Sequence, residues 1–237
     1  MLMYQVFNKP EKYRVFFKRT VDEIMQLGVN SLGIVILMSA FMGAVIVIQT
    51  ASAIDSAWIP DFTVGFTARR SIILEFSPTI ICLILAGKVG SNIASELGTM
   101  RVTEQIDALE IMGVNSASYL IQPKIVASMF IFPILIIYSI ILGLIGGYVV
   151  SWIGGLPQID PDKYILGLQA YFEAFDISYA LIKTVVFAFL ITSISSYYGY
   201  YASGGALEVG KASTKAVVYS SILILFFNLL LTQLLLI

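Results

Sequence analysis

The chain has 237 residues, of which 58% are hydrophobic and 12% are charged, and it contains no histidine. A soluble globular domain carries about 25% charged residues, so this composition excludes a water-soluble fold. The formal net charge of −1 gives no basic field for nucleic acid. The absence of histidine excludes His-ligated metal sites and Ser–His or Cys–His nucleophile pairs. Uncharged stretches long enough to cross a bilayer as helices recur, which indicates an integral membrane protein.

The N-terminal residues 1–28 are mixed and basic, and their apolar residues fall roughly on one helical stripe beside the cations. This pattern predicts a helix that lies in the membrane interface, with a solvated cytoplasmic helix as the alternative. Residues 29–237 show neither a linker nor a repeat, which predicts a single transmembrane domain.

Five apolar segments have the length and composition of membrane spans. They lie at about residues 31–54, 71–93, 123–150, 178–198 and 214–237. The third contains Gly143 and Gly147, whose GxxxG spacing permits close approach of another helix, with ordinary lipid-facing glycines as an equal alternative. The apolar half of the loop between the third and fourth spans predicts a short interfacial helix. The predicted fold is all-α, with an N-terminal interfacial amphipathic helix, five transmembrane helices and a further helix between the second and third spans.

Lysine and arginine are unevenly distributed between the two ends of the predicted spans. Residues 1–30 hold five, residues 88–124 hold three and residues 198–215 hold two, whereas the opposite loops hold three in total. Basic residues in short flanking segments favour the cytoplasmic side. The distribution therefore predicts a cytoplasmic N-terminus and a C-terminus on the outer side.

The polar segment between the second and third spans predicts a compact amphipathic helix over residues 103–112. We expect Thr103 to cap its N-terminus, Glu104 to interact favourably with the helix dipole and Gly113 to end it. Such a helix has no core of its own, so it lies on the bilayer or in a groove of a cytoplasmic partner. Its acidic face disfavours anionic lipid headgroups, and we favour the partner.

The run GKVGSNIASELGTMRVTEQIDALEIMG in this segment resembles the hallmark of the MlaE/YrbE family, the permease subunits of bacterial phospholipid-transport ABC systems. The matching residues are Gly87, Lys88, Gly90, Glu96, Gly98, Met100, Arg101, Thr103, Glu104, Gln105, Glu110 and Met112. The resemblance covers most of the chain from residue 30 onward, which implies that residues 29–237 form a permease domain. It also implies that the loop helix couples to a cytoplasmic ATPase, and the candidate contacts are Glu96, Arg101, Thr103, Glu104, Gln105, Asp107 and Glu110.

Glu75 and Lys183 fall inside predicted spans, where each charge would cost roughly 2.5–3.5 kcal/mol at mid-bilayer. Such residues usually face a protein interior or a water-filled cavity, with local pairing or snorkelling as the alternative. The family's second span commonly begins L-L-R-E-L-[GS]-P. Glu75 and Pro78 match this pattern, Leu74 replaces its arginine, and Lys183 matches a lysine of the family's fourth span. The resemblance implies that these four residues line or gate a lipid cavity in the outer halves of the spans.

A near-match to a phosphate-binding loop occurs at 205–211, where the spacing is GxxxxGK. Ala212 follows in place of the Ser or Thr that would bind Mg²⁺, and no hydrophobic strand precedes it. We therefore expect no metal and no cofactor on this chain, with ATP and Mg²⁺ bound by a partner ATPase. The segment is predicted to be a short glycine-rich cytoplasmic turn.

The resemblance further implies an assembly in the bacterial inner membrane that carries phospholipid. Its expected members are a homodimer of this chain, ABC ATPase subunits, a periplasmic MCE-domain lipid-binding protein and a small regulatory STAS-type subunit. Two other functions stay open: a proton-coupled secondary transporter that titrates Glu75 with Lys183 as its partner, and a non-transporting membrane scaffold. The odd number of spans without an inverted repeat argues against the secondary transporter.

Overall fold

A computed structural model describes residues 2–7, 13–54, 60–153 and 160–236, and within these residues it contains helices and turns but no strand. The helices are α1 (Leu2–Val6), α2 (Tyr13–Ala53), α3 (Phe62–Val102), α4 (Gln105–Ile111), α5 (Ser116–Trp152), α6 (Pro161–Gln169), α7 (Ala174–Tyr200) and α8 (Ala206–Leu236). Helices α2, α3, α5, α7 and α8 are long and apolar enough to cross a membrane, which confirms the predicted all-α membrane fold with five spans.

The spanning helices extend beyond the apolar segments that predicted them. Helix α2 begins at Tyr13, so it continues without a break through the predicted boundary at residue 28. Helix α5 begins at Ser116, and Pro123, which was expected to open the third span, lies inside it. Hydropathy locates the apolar part of a helix, whereas backbone hydrogen bonds carry the helix on into polar flanks. The interfacial position of residues 1–28 stays a prediction, and residues 8–12 lie outside the described residues.

Helix α3 is not a regular α-helix throughout. It contains two π-helical segments, Ile72–Ile80 and Ala86–Gly90, and the first includes Pro78. Proline has no N–H and cannot donate to the carbonyl four residues earlier, so it interrupts the α-helical hydrogen bonds. A π-helical turn is a known way to accommodate such an interruption, and it occurs often at functional sites. Pro78 thus lies well inside α3, not near the beginning of a helix as the sequence suggested.

The described chain divides into two compact units. The first consists of the residues up to Ser31, Cys82–Pro133 and the residues from Thr184 onward. In this unit the C-terminal part of α3 packs against α8, and a Cβ at Gly98 would lie 3.0 Å from a side-chain carbon of Val209. The buried hydroxyls of Ser128 and Thr192 are 2.6 Å apart, which links α5 to α7.

The second unit consists of Leu32–Ile81 and Ile134–Lys183. Its α2 and α5 make backbone contact at glycines, because a Cβ at Gly43 would overlap the carbonyl of Gly143 and one at Gly146 would overlap that of Ala40. The predicted close helix approach at Gly143 is therefore confirmed. Three buried serine hydroxyls extend this contact to α3, since Ser39 donates to Ser139 and Ser139 to Ser77, at 2.8 and 3.1 Å.

Helix α6 confirms the short helix predicted between the third and fourth spans. The Asp160 side chain caps it by accepting a hydrogen bond from the Asp162 N–H at 3.1 Å, and Pro161 occupies the first turn, where a missing N–H costs nothing. The helix packs against the beginning of α3, and a Cβ at Gly167 would overlap the Phe62 carbonyl.

Candidate functional site

The two charged residues predicted inside spans form an ion pair in the second unit. Lys183 Nζ on α7 lies 2.8 Å from Glu75 Oε1 on α3, although 108 residues separate the two positions in sequence. The Lys183 side chain is 0% exposed, whereas that of Glu75 is 41% exposed. A lone charge in a membrane span is costly, so the pairing stabilises both charged forms. Glu75 is therefore the accessible member of the pair.

Leu74 and Pro78 shape the surroundings of this pair. Because Pro78 cannot donate a hydrogen bond, the Leu74 carbonyl lacks its usual α-helical donor, and Lys183 Nζ lies 3.4 Å from that oxygen. The ammonium group is also 4.5 Å from the centre of the Tyr179 ring, within the range of a cation–π contact. Thr79 donates to Glu75 Oε2 at 3.2 Å. Leu74 thus contributes a backbone oxygen to this site.

Arg69 is a buried cation that the sequence did not distinguish from its neighbour Arg70. It is 2% exposed, and its guanidinium donates to the carbonyls of Leu168, Ala170 and Tyr171 at 2.6 to 3.0 Å. These carbonyls lie at the C-terminal end of α6, where a cation is favourable for the helix dipole. Arg69 therefore joins α6 to α3, and only the tertiary contacts reveal this role.

The loop helix α4 is present, but its beginning differs from the prediction. Helix α3 continues to Val102, and Thr103 donates its hydroxyl to the Thr99 carbonyl at 2.8 Å and does not cap α4. The chain turns at Glu104, whose φ of 60° is in the left-handed region. The prediction of Thr103 as N-cap is therefore wrong, because the preceding span extends further into the loop than its apolar residues indicate. Gly113, at φ 79°, follows the helix as predicted.

Some of the predicted ATPase-coupling residues are exposed, and others form contacts within the chain. Thr103, Glu104 and Gln105 are exposed, as the prediction requires. Arg101 and Asp107 form an ion pair across the turn at 2.7 Å, with side chains 34% and 46% exposed. The turn is therefore closed by an interaction within the chain.

Glu110 connects α4 to two spanning helices. Ser116 at the beginning of α5 donates to its carboxylate at 2.8 Å, and Tyr200 at the end of α7 donates at 2.9 Å. These hydrogen bonds lower the pKa of Glu110 below its usual value, because they stabilise the charged form. Next to this connection, Ile111 and Met112 are 87% and 68% exposed. Helix α4 thus has a fixed polar side and an exposed apolar end.

Glu96 belongs to a second buried ionic cluster, in the first unit. Lys124 Nζ lies 2.8 Å from Glu96 Oε2 and 2.7 Å from Glu23 Oε1, and the lysine side chain is 2% exposed. The cluster joins α2, α3 and α5. Sequence reasoning missed Lys124 because it was counted as a flanking cation, although it falls inside the third predicted span. A contact between Glu96 and an ATPase stays a prediction.

The segment that resembles a phosphate-binding loop is mostly helical. Helix α8 begins at Ala206, so Gly210 and Lys211 lie within it, and the turn before it ends at Gly205. Lys211 Nζ forms an ion pair with Glu208 Oε1 at 2.6 Å. The predicted glycine-rich turn is therefore limited to the residues before α8. Among the described residues, no group of three or more His, Cys, Asp or Glu side chains is placed to hold a metal ion.

Comparison with known proteins agrees with this architecture. A family model described as Permease MlaE matches residues 20–234. A probable ABC transporter permease protein of Rickettsia bellii is 37% identical over 93% of this chain and 84% of its own length. The intermembrane phospholipid transport system permease protein MlaE of Haemophilus influenzae is 30% identical over 98% of this chain and 88% of its own length.

A eukaryotic relative extends the comparison. The chloroplastic protein TRIGALACTOSYLDIACYLGLYCEROL 1 of Arabidopsis thaliana is 31% identical over 91% of this chain and 61% of its own length. The family model and the two bacterial relatives each match nearly the whole chain. The chain therefore belongs to the MlaE family of ABC transporter permeases.

Proposed function

We propose that this permease subunit moves phospholipids between the bacterial inner membrane and a periplasmic MCE-domain lipid carrier. A separate cytoplasmic ABC ATPase, regulated by a small STAS-type subunit, binds ATP and Mg²⁺ and drives the movement. The observation that carries this proposal is the loop helix α4, which is fixed to two spanning helices yet leaves apolar residues exposed at its end.

Helix α4 is suited to transmit force from a partner. The exposed Ile111 and Met112 provide apolar surface that a groove in a partner would bury. Glu110, one residue before them, is bonded to the first residue of α5 and the last residue of α7. A displacement of α4 therefore acts directly on both helices. This arrangement supports a coupling role for α4.

The second feature that supports the proposal is the Glu75–Lys183 pair. A glutamate side chain that is 41% exposed inside a spanning helix indicates contact with water or polar groups, since lipid tails offer no hydrogen bonds. A cavity that holds a lipid headgroup satisfies this requirement. We propose that Glu75 lies beside the headgroup and that the apolar faces of the spanning helices hold the acyl chains.

Helix α8 supports a homodimer. Only 11% of its most apolar 18-residue stretch is buried within the chain, compared with 33% to 56% for the other spanning helices. A second copy of the chain would cover part of this surface. The distribution of basic residues supports a location in the inner membrane with a cytoplasmic N-terminus and a periplasmic C-terminus.

The test is ATP-dependent lipid transfer in liposomes that contain the chain with the ATPase and the MCE-domain protein of the same genome. We expect Ile111→Asp to lower ATP-stimulated transfer about tenfold and to weaken ATPase binding, as loss of an apolar anchor does at other interfaces. The control Ile111→Val keeps the apolar contact and should keep transfer. Transfer driven by a pH gradient without ATP would contradict the proposal in favour of a proton-coupled transporter.

A further inference from the structure

The lysine of the intramembrane ion pair is not available to a ligand. Lys183 is 0% exposed, and its ammonium group already contacts Glu75 Oε1, the Leu74 carbonyl and the ring of Tyr179. An anionic group would have to displace these contacts to reach it. The pair is neutral overall, and Glu75, whose side chain is 41% exposed, is its accessible member.

Arg69, the other buried cation among the described residues of the second unit, is likewise held by contacts within the chain. Arg69 is 2% exposed and donates to three carbonyls at the end of α6. Lys163, which is exposed, forms an ion pair with Asp61. Neither residue supplies a free cation next to the pair, and Leu74 supplies no charge at the position before Glu75.

The second unit as a whole also has an excess of acidic side chains. Its described residues include six acidic side chains and four basic ones. Arg70 is the exposed basic residue nearest to Glu75 in the sequence. It attracts the phosphate that every phospholipid carries, so it does not distinguish one phospholipid from another. Discrimination must come from the terminal group of the headgroup, and the accessible group of the pair is a carboxylate.

We infer that the Glu75 site selects phospholipids whose headgroup carries an ammonium group and no net charge over anionic phospholipids. The inference rests on the proposed function and names its substrate class. An ammonium group donates charge-assisted hydrogen bonds to a carboxylate, and it balances the lipid's own phosphate. A glycerol headgroup leaves the phosphate unbalanced in a unit that is already negative.

The experiment is competition for the purified full-length chain, delipidated in mild detergent and offered equal amounts of phosphatidylethanolamine and phosphatidylglycerol with the same acyl chains. Native mass spectrometry counts the lipid bound. We expect phosphatidylethanolamine to be enriched about fivefold, the ratio that one charge–charge contact near a protein surface produces. Equal binding, or enrichment of phosphatidylglycerol, overturns the inference and leaves lipid transport intact. Retention of neither lipid above an unrelated membrane protein overturns the proposed function as well.

Three variants test whether Glu75 causes the preference for phosphatidylethanolamine. Glu75→Gln removes the carboxylate and should abolish the enrichment, and Leu74→Arg adds a cation beside it and should shift binding towards phosphatidylglycerol. Glu173→Gln is the matched control, because it removes the same charge from an exposed position of the same unit. It should keep the enrichment. If Glu173→Gln lowers the enrichment as much as Glu75→Gln, the general field of the unit is responsible and the assignment to Glu75 is wrong.

Discussion

The two units each contain a buried lysine, and the two lysines are neutralised in different ways. Lys124 in the first unit contacts two carboxylates, those of Glu23 and Glu96, with side chains 16% and 37% exposed. Lys183 in the second unit has a single carboxylate partner among the ion pairs of the described residues, and that carboxylate, of Glu75, is 41% exposed. The first cluster places two carboxyl groups around one ammonium group, and these ion pairs join three helices. The second is balanced and has an accessible end, as a binding site requires.

The largest expected effect is that of removing the lysine of the first cluster. Lys124→Met leaves two neighbouring carboxyl groups without their shared cation, and that of Glu23 belongs to a side chain only 16% exposed, which should lower the free energy of unfolding by about 3–5 kcal/mol. Thermal unfolding of the purified protein in detergent measures the change. Adding Glu23→Gln and Glu96→Gln to Lys124→Met removes the repulsion and should restore much of the stability. If Lys124→Met is no more harmful than Lys183→Met, the contrast between the clusters does not exist.

In the second unit, removing the carboxylate should cost more stability than removing the lysine. Glu75→Gln leaves a fully buried ammonium group without its counterion, at a cost of about 2–3 kcal/mol. Lys183→Met leaves a carboxylate that water already reaches, so we expect a loss of about 1 kcal/mol. The same thermal measurement compares the two variants. A larger loss for Lys183→Met would show that Glu75 is less accessible than its exposed fraction indicates.

The smallest expected effect is the pH dependence of the stability that Glu110 contributes by joining α4 to α5 and α7. Hydrogen bonds from Ser116 and Tyr200 lower the pKa of Glu110, so its contribution to stability is present above the usual carboxylate pKa. This contribution is lost as the pH falls through the lowered pKa. The wild-type chain should therefore unfold at a higher temperature than Glu110→Gln at about pH 7, and the difference should shrink as the pH falls below the usual carboxylate pKa. A difference that grows on acidification would contradict the assignment.

The features of the fold that depend on a single stretch of sequence were predictable. Apolar segments identify the five spans, and a charge inside a span identifies Glu75 and Lys183, because the bilayer penalises charge wherever it occurs. The sequence raised Lys183 as a partner of Glu75 only within the proton-coupled alternative, and it did not establish that the two side chains meet. Their meeting depends on how α3 and α7 are rotated, and the π-helical segment at Pro78 changes that rotation in α3. A hydropathy pattern contains no information about such a change.

The remaining misses have a common physical cause. Thr103 was assigned to a helix N-terminus because the preceding apolar segment stops before residue 94, but α3 continues to Val102. Lys124 was counted as a flanking cation because it lies at the beginning of the predicted third span, whereas α5 begins at Ser116 and places it well inside the helix. Long membrane helices extend past their apolar parts, and polar residues on those extensions find partners within the protein. Composition alone describes such residues as loop residues.

The separation of Glu75 and Lys183 in the sequence affects how the protein is made. Lys183 is synthesised 108 residues after Glu75, so the helix with the carboxylate enters the membrane before its counterion exists. A charge costs roughly 2.5–3.5 kcal/mol at mid-bilayer on insertion scales, and for Glu75 the apolar residues of α3 must offset that cost alone. The ion pair therefore cannot assist the insertion of α3. It forms afterwards, when α7 packs against α3, and it stabilises the assembled bundle of helices.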